Sequence, residues 1–278
     1  MYDTTTQKCQ ILLTNDDGIL SPGLWAAAAA LSEIGFVHVV APREQYSGAG
    51  RSLPSTSDGI IQSKQVVVNG KAWTVYSVGG SPAQAVLHGV LEILPRQPDL
   101  VVSGINYGEN LGSGVTISGT VGAAMEGASL GVPALAASLE TSEEHHFSYS
   151  PDVDFSTAAY FTTYFARLLL EQRMPADVQL LKLDVPGDAT RLTPWQITRL
   201  SMNRYFEPLK PFRTDWKQPG PVGYRRVENI EHDPHDTDVY AVGVKRIVSV
   251  TPLSLDLTSR VAFQELEALL RGNSQPPG

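Results

Sequence analysis

Cysteine is nearly absent. Cys9 stands alone in 278 residues, so no internal disulfide can form and no multi-cysteine zinc site can be built. Basic charge is also short, with 21 Lys and Arg against 29 Asp and Glu and a net charge of −8. That balance argues against a nucleic-acid-binding surface and against adhesion to anionic membranes. A small anion remains possible, because a bound cation or a helix N-terminus can reverse the local field. No apolar run is long enough to span a bilayer. Residues 1–10 are polar and lack the apolar core of a secretory leader. The expectation is a soluble cytoplasmic protein. The lysine of a P-loop is missing, and so is dinucleotide-binding glycine spacing, since Ile117 follows Gly112 and Gly114.

What is present is an alternation of short apolar runs and helical stretches, which predicts an α/β fold. The chain turns on Ile11-Leu12-Leu13-Thr14-Asn15-Asp16-Asp17-Gly18, a buried strand that ends in two adjacent carboxylates. Ligands of open α/β sheets bind beyond the carboxyl ends of strands. Adjacent carboxylates repel, and a divalent cation relieves the repulsion; oxygen donors favour Mg²⁺, Mn²⁺ or Ca²⁺ over zinc. The competing reading is a polar turn before a helix, with Ser21 as N-cap and Pro22 at the first helical position.

A helix over 24–34 and a strand over 37–41 follow, the order of a right-handed parallel crossover. The loop 42–54 carries Ser47 between Tyr46 and Gly48 and leaves the same sheet edge as the acidic pair. Residues 60–68 and 72–78 flank Asn69-Gly70, a type I′ hairpin signal. Ser81 and Pro82 start a helix over 83–94 expected to bury Val86, Val90, Leu91 and Leu94. A strand follows Pro98 and exits at Gly104-Ile105-Asn106 into a glycine-rich loop reaching Gly114. Ser118-Gly119-Thr120-Val121-Gly122 then reads as a helix start whose N–H groups suit an anion or simply close packing. Residues 133–139 and 178–185 read as strands, 155–174 as a long amphipathic helix, and 140–154 as a solvated loop with His145-His146. Beyond Pro186 the pattern weakens. Residues 195–206 look β-like, 208–221 are proline-rich, and 228–238 form an acidic loop whose His232, Asp233, His235 and Asp236 read more readily as solvated than as a metal site. A short helix near 237–246, a strand over 247–252, a helix over 260–271 and an irregular tail complete the chain.

Thr14-Asn15-Asp16-Asp17-Gly18, Val39-Val40-Ala41-Pro42, Ser47-Gly48, Pro98–Asn106, Ser118–Ala124 and Thr251-Pro252-Leu253 stand in one order along nearly the whole chain. Together they resemble the SurE family, the survival-protein 5′/3′-nucleotidases. The resemblance implies a Rossmann-like core over residues 9–186, a mostly parallel sheet with helices on both faces. It also implies a β-rich C-terminal extension over 187–278 that makes contacts in a homodimer or homotetramer. The implied activity is metal-dependent hydrolysis of nucleoside monophosphates to nucleoside and phosphate through a metal-activated water.

By the same resemblance, Asp16, Asp17, Ser47 and Asn106 hold one Mg²⁺ or Mn²⁺. Asp16 or Asp17 would orient or deprotonate the water. Asn15, Gly112, Ser113, Gly114, Ser118, Gly119 and Thr120 would face the phosphate. Gln84, Asp184 and Tyr46 depart from the family pattern, which bears on substrate preference rather than on the metal. The alternatives are a phosphomonoesterase or exopolyphosphatase with another preferred substrate, or a nucleotide-binding regulator without turnover.

Overall fold

The structure, a computed structural model, describes residues 8–272; most of the polar lead segment and the end of the tail lie outside the described residues. Nine strands make one sheet in the order β3-β4-β2-β1-β5-β6-β7-β11-β8. Their ranges are β1 Gln10–Thr14, β2 Phe36–Pro42, β3 Ile61–Val68, β4 Lys71–Val78, β5 Leu100–Tyr107, β6 Ala134–Leu139, β7 Leu180–Val185, β8 Trp195–Ile197 and β11 Val248–Leu253. The run from β4 through β2, β1, β5 and β6 to β7 is parallel. β3 and β11 are antiparallel to their inner neighbours β4 and β7. Strands β9 (Phe206–Leu209) and β10 (Gly223–Arg226) form a separate antiparallel hairpin.

The helices lie on both faces: α1 (Pro22–Leu31) and α4 (Ser156–Glu171) on one, α2 (Pro82–His88) and α3 (Gly119–Ser129) on the other. Strand β1 shows why. Ile11 and Leu13 join the core under α1 and α4, while Leu12 points into the core under α2 and α3, the two-residue alternation of a strand covered on both sides. The hairpin signal is borne out: Asn69 and Gly70 both have positive φ, 48° and 73°, as a type I′ turn requires.

Several local expectations are corrected. Ser21 is the N-cap of α1 and Pro22 its first residue, as expected, but the Ser21 side chain makes no capping hydrogen bond. Helix α2 ends at His88 and continues as a wider π turn over Gly89–Ile93. That extra residue per turn rotates Leu91 outward, and it is 72% exposed rather than buried. The β-like stretch 195–206 yields β8 and only the first residue of β9. Tyr205 is instead buried with Leu111, Val239 and Val242 in a small core of its own. The chain beyond residue 186 contributes β8 and β11 to the main sheet, together with α5 (Asp238–Gly243) and α6 (Phe263–Arg271). No described helix is long and apolar enough to cross a membrane.

Candidate active site at the sheet edge

Chain connections leave the adjacent strands β1 and β5 in opposite directions, from β1 to β2 on one side and from β5 to β6 on the other. That is a topological switch point, where open α/β sheets form a crevice. Asp16 and Asp17 follow β1 there, and Asn106 lies near the end of the adjacent β5. Both aspartates are buried.

Asp16 is held by the start of α3. Thr120 Oγ1 donates to Asp16 Oδ1 at 2.5 Å. Gly119 is required by proximity, because a Cβ there would lie 2.7 Å from Asp16 Cβ. Asp17 Oδ2 accepts from the Tyr107 N–H at 3.2 Å, and Oδ1 from Gln45 Nε2 at 3.3 Å. Gln45 Nε2 also reaches Ser47 Oγ at 3.0 Å and the His146 carbonyl at 2.8 Å. One amide thus links Asp17, the Ser47 loop and the segment after β6.

Burial pushes the Asp16 carboxyl above the usual carboxylate range, although its donors work against this. Burial pushes Asp17 well above that range, and the neighbouring Asp16 charge adds to the effect. Two buried carboxylates that resist shared ionisation fit a divalent cation. Asn106 Nδ2 donates to the carbonyls of Tyr107 and Gly108, which leaves Oδ1 as the amide atom free to face a ligand. Among the described residues no three His, Cys, Asp or Glu side chains gather as a metal cage. The donor set expected from the sequence, two carboxylates with a neutral hydroxyl and amide, would suit a hard cation keeping some of its waters.

The residues expected around a phosphate divide into two groups. Asn15 is buried, with Nδ2 on the Gly18 carbonyl at 3.0 Å and Oδ1 on the Gly18 N–H at 3.2 Å, so it closes the acidic turn. The Gly112 N–H donates to Asp238 Oδ2 and the Ser113 N–H to the Asn203 carbonyl. Ser118 Oγ caps α3 by accepting from the Val121 N–H, and Gly119 and Thr120 serve Asp16. Gly114 alone opens on free space.

Behind the glycine loop sits a fully buried ion cluster. Lys182 Nζ pairs with Asp184 and, at 3.1 Å, with Asp238. Asp184 Oδ1 accepts the Asn110 N–H at 2.8 Å, and Asp238 accepts those of Gly112 and Ser201. Burial pushes Lys182 down, but the two carboxylates outweigh it and hold the ammonium charged. Asp184, the departure from the family pattern, is thus balanced inside the protein and anchors the loop. Gln84, another departure, forms a capping box with Ser81 and takes the Ser57 hydroxyl at 2.6 Å.

The segment read as a solvated loop is a correction. His146 is buried, its Nδ1 2.9 Å from the Tyr224 hydroxyl, and Tyr149 Oη donates to the Asp17 carbonyl at 2.7 Å. Gln45, His146 and Tyr149 escaped the sequence reading. The available signal was an aromatic pair, Phe147 and Tyr149, in polar company just after a strand's carboxyl end. In the acidic loop, Asp233 is buried and accepts from Ser201 and Asn203, a structural role. A separate cleft of about 710 Å³, lined in part by Glu140, Arg226 and Arg246, does not include the acidic pair. Its arginines are paired with Glu109, Glu140 and Asp188.

Residues 11–207 match the family model described as Survival protein SurE. A protein named 5′-nucleotidase SurE from Thermococcus gammatolerans is 43% identical over 270 residues, covering 97% of this chain and 98% of that one. Its namesake from Methanosarcina barkeri is 39% identical over 272 residues, covering 94% and 97%. The crystal structure of the SurE protein from Aquifex aeolicus superposes with a TM-score of 0.73 at 33% identity, covering 94% of this chain and 99% of that one.

Proposed function

This chain belongs to the survival protein SurE family, and from that premise we propose how its site works. The protein is a 5′-nucleotidase, a phosphoric monoester hydrolase that releases phosphate from nucleoside monophosphates. The observation that carries the reading is the buried Asp16–Asp17 pair at the β1/β5 switch point, with neutral oxygen donors brought to it.

Asp16, Asp17, Ser47 and Asn106 would hold one divalent cation, Mg²⁺ or Mn²⁺. When bound, such a cation neutralises phosphoryl charge and acidifies the attacking water. The chain's own residues supply position. The Thr120 hydroxyl fixes Asp16. Tyr107 and Gln45 fix Asp17, and Asp16 or Asp17 would orient or deprotonate the water. Asn15 shapes the acidic turn from within. The Ser113 hydroxyl and the Gly114 N–H are the loop donors we assign to the phosphate, while Gly112 anchors the loop through Asp238. Donors fixed before the reaction stabilise developing charge without reorganisation.

We take residues 9–186 as the core and residues 187–278 as the extension that would join copies into a homodimer or homotetramer, with β8 and β11 of that extension completing the core's sheet. Supporting this, α6 exposes Phe263, Leu269 and Leu270, an apolar stripe that one chain leaves uncovered. A cytoplasmic setting fits a chain whose one cysteine is free. A panel of nucleoside monophosphates against Mg²⁺, Mn²⁺ and chelator tests the reading. Phosphate release that needs the cation is expected; release that survives chelation, or none with any cation, contradicts it.

A further inference from the structure

Tyr149 stands in a segment that the metal and phosphate roles leave unexplained. Its hydroxyl donates to the main-chain carbonyl of Asp17 at 2.7 Å, so one end of the side chain is fixed on the acidic turn. The residue is 42% exposed, so part of the side chain meets solvent. The segment around it is held at several points: the His146 carbonyl by Gln45 Nε2, His146 Nδ1 by the Tyr224 hydroxyl, and the Ser150 carbonyl by the Tyr107 hydroxyl. An aromatic face beside a site, anchored by its polar tip, is a preorganised stacking surface with little left to order. Phe147, 65% exposed, packs toward Tyr224 at 6.4 Å between ring centroids and has no bond to the acidic turn.

We infer that the ring of Tyr149 is the platform on which the nucleobase of the substrate stacks while the phosphate lies at Asp16 and Asp17. The inference rests on the nucleotidase reading and adds how the site senses the base. The Tyr149 hydroxyl sits on the Asp17 carbonyl, so its ring begins one side-chain length from the turn that takes the phosphate, within the span of a nucleotide. Stacking needs no charge and tolerates every base, because each has a π face. It therefore suits a site that separates nucleotides from sugar phosphates more strongly than one base from another.

The test compares kcat/KM for AMP and GMP with that for ribose 5-phosphate, which carries the phosphate and sugar but no base. Tyr149→Leu should lower kcat/KM for both nucleotides about tenfold or more, mainly through KM, and leave ribose 5-phosphate near the wild-type value. Tyr149→Phe, which keeps the ring and loses the tether, should retain most of the preference for nucleotides. Phe147→Ala should leave the preference unchanged. An equal fall for all three substrates in Tyr149→Leu would mean that the residue acts only through the Asp17 turn, and would overturn the stacking role. A preference that follows Phe147 instead would also overturn it. Failure of the wild-type protein to hydrolyse any nucleotide would defeat the nucleotidase reading and this inference together, whereas an active wild type with an unchanged ratio in Tyr149→Leu defeats this inference alone.

Discussion

Thr120 Oγ1 donates to Asp16 Oδ1 at 2.5 Å, across 104 residues of sequence. The bond fixes one carboxylate of the acidic pair to the first turn of α3. Groups that orient a metal ligand typically change affinity or activity by 10–100-fold when removed. Thr120→Val, close in shape but without the hydroxyl, should therefore lower kcat at least about tenfold. Thr120→Ser should restore most of it. Steady-state kinetics at saturating Mn²⁺ decide; a Val variant with wild-type kcat would show that the bond is idle.

Gln45 offers a second test of the same idea from the Asp17 side. Gln45→Leu removes the one amide that joins Asp17, Ser47 and the His146 carbonyl. Cation affinity should weaken by about tenfold, and the segment 146–149 should exchange its amide hydrogens faster. Hydrogen exchange followed by mass spectrometry reads the second effect independently of activity. Unchanged exchange in that segment would remove Gln45 from the account.

Much of this arrangement is legible in the sequence, and the reason is local. The acidic turn, the Asn69-Gly70 hairpin and the Ser81 helix start are written in consecutive residues whose chemistry specifies them. What escaped depends on distant partners. Nothing near His146 says that Tyr224, 78 residues on, will meet its ring nitrogen, so a polar stretch reads as solvated. The same holds for Asp16 and the start of α3: the glycines and hydroxyls there read as an anion site, and the anion that receives Thr120 is the protein's own carboxylate. Leu91 was misplaced for a different reason, a π turn that shifts the helical phase without a glycine or proline signal beyond Gly89.

Lys182 is surrounded by Asp184 and Asp238, all three fully buried. Removing one partner from such a cluster strands the remaining charge, at a cost of about 3–5 kcal/mol. Lys182→Met should lower the melting temperature by about 10 °C. Adding Asp184→Asn should recover part of that loss, because one stranded carboxylate becomes neutral while an acceptor for the Asn110 N–H remains. Thermal unfolding of both variants checks this; a harmless single substitution would contradict it.

Glu109 predicts a pH effect. Burial raises its carboxyl to about 7 from an ordinary 4.5, against the opposing pull of Arg226. The folded protein holds this proton more tightly than the unfolded chain does. Its contribution to stability is therefore fully present below pH 4.5 and is lost as pH rises through about 7. Between those values the wild-type melting temperature should fall relative to that of Glu109→Gln, by about 5 °C. Parallel melting curves across the range would contradict the assignment.

Mn²⁺ binding followed by electron paramagnetic resonance reads the proposed cation site of Asp16, Asp17, Ser47 and Asn106 itself. The wild-type protein should take up one Mn²⁺ per chain, and Asp17→Asn and Asn106→Ala should each weaken that uptake about tenfold or more. Full-strength Mn²⁺ binding in the Asp17→Asn protein would rule out a cation held by this pair.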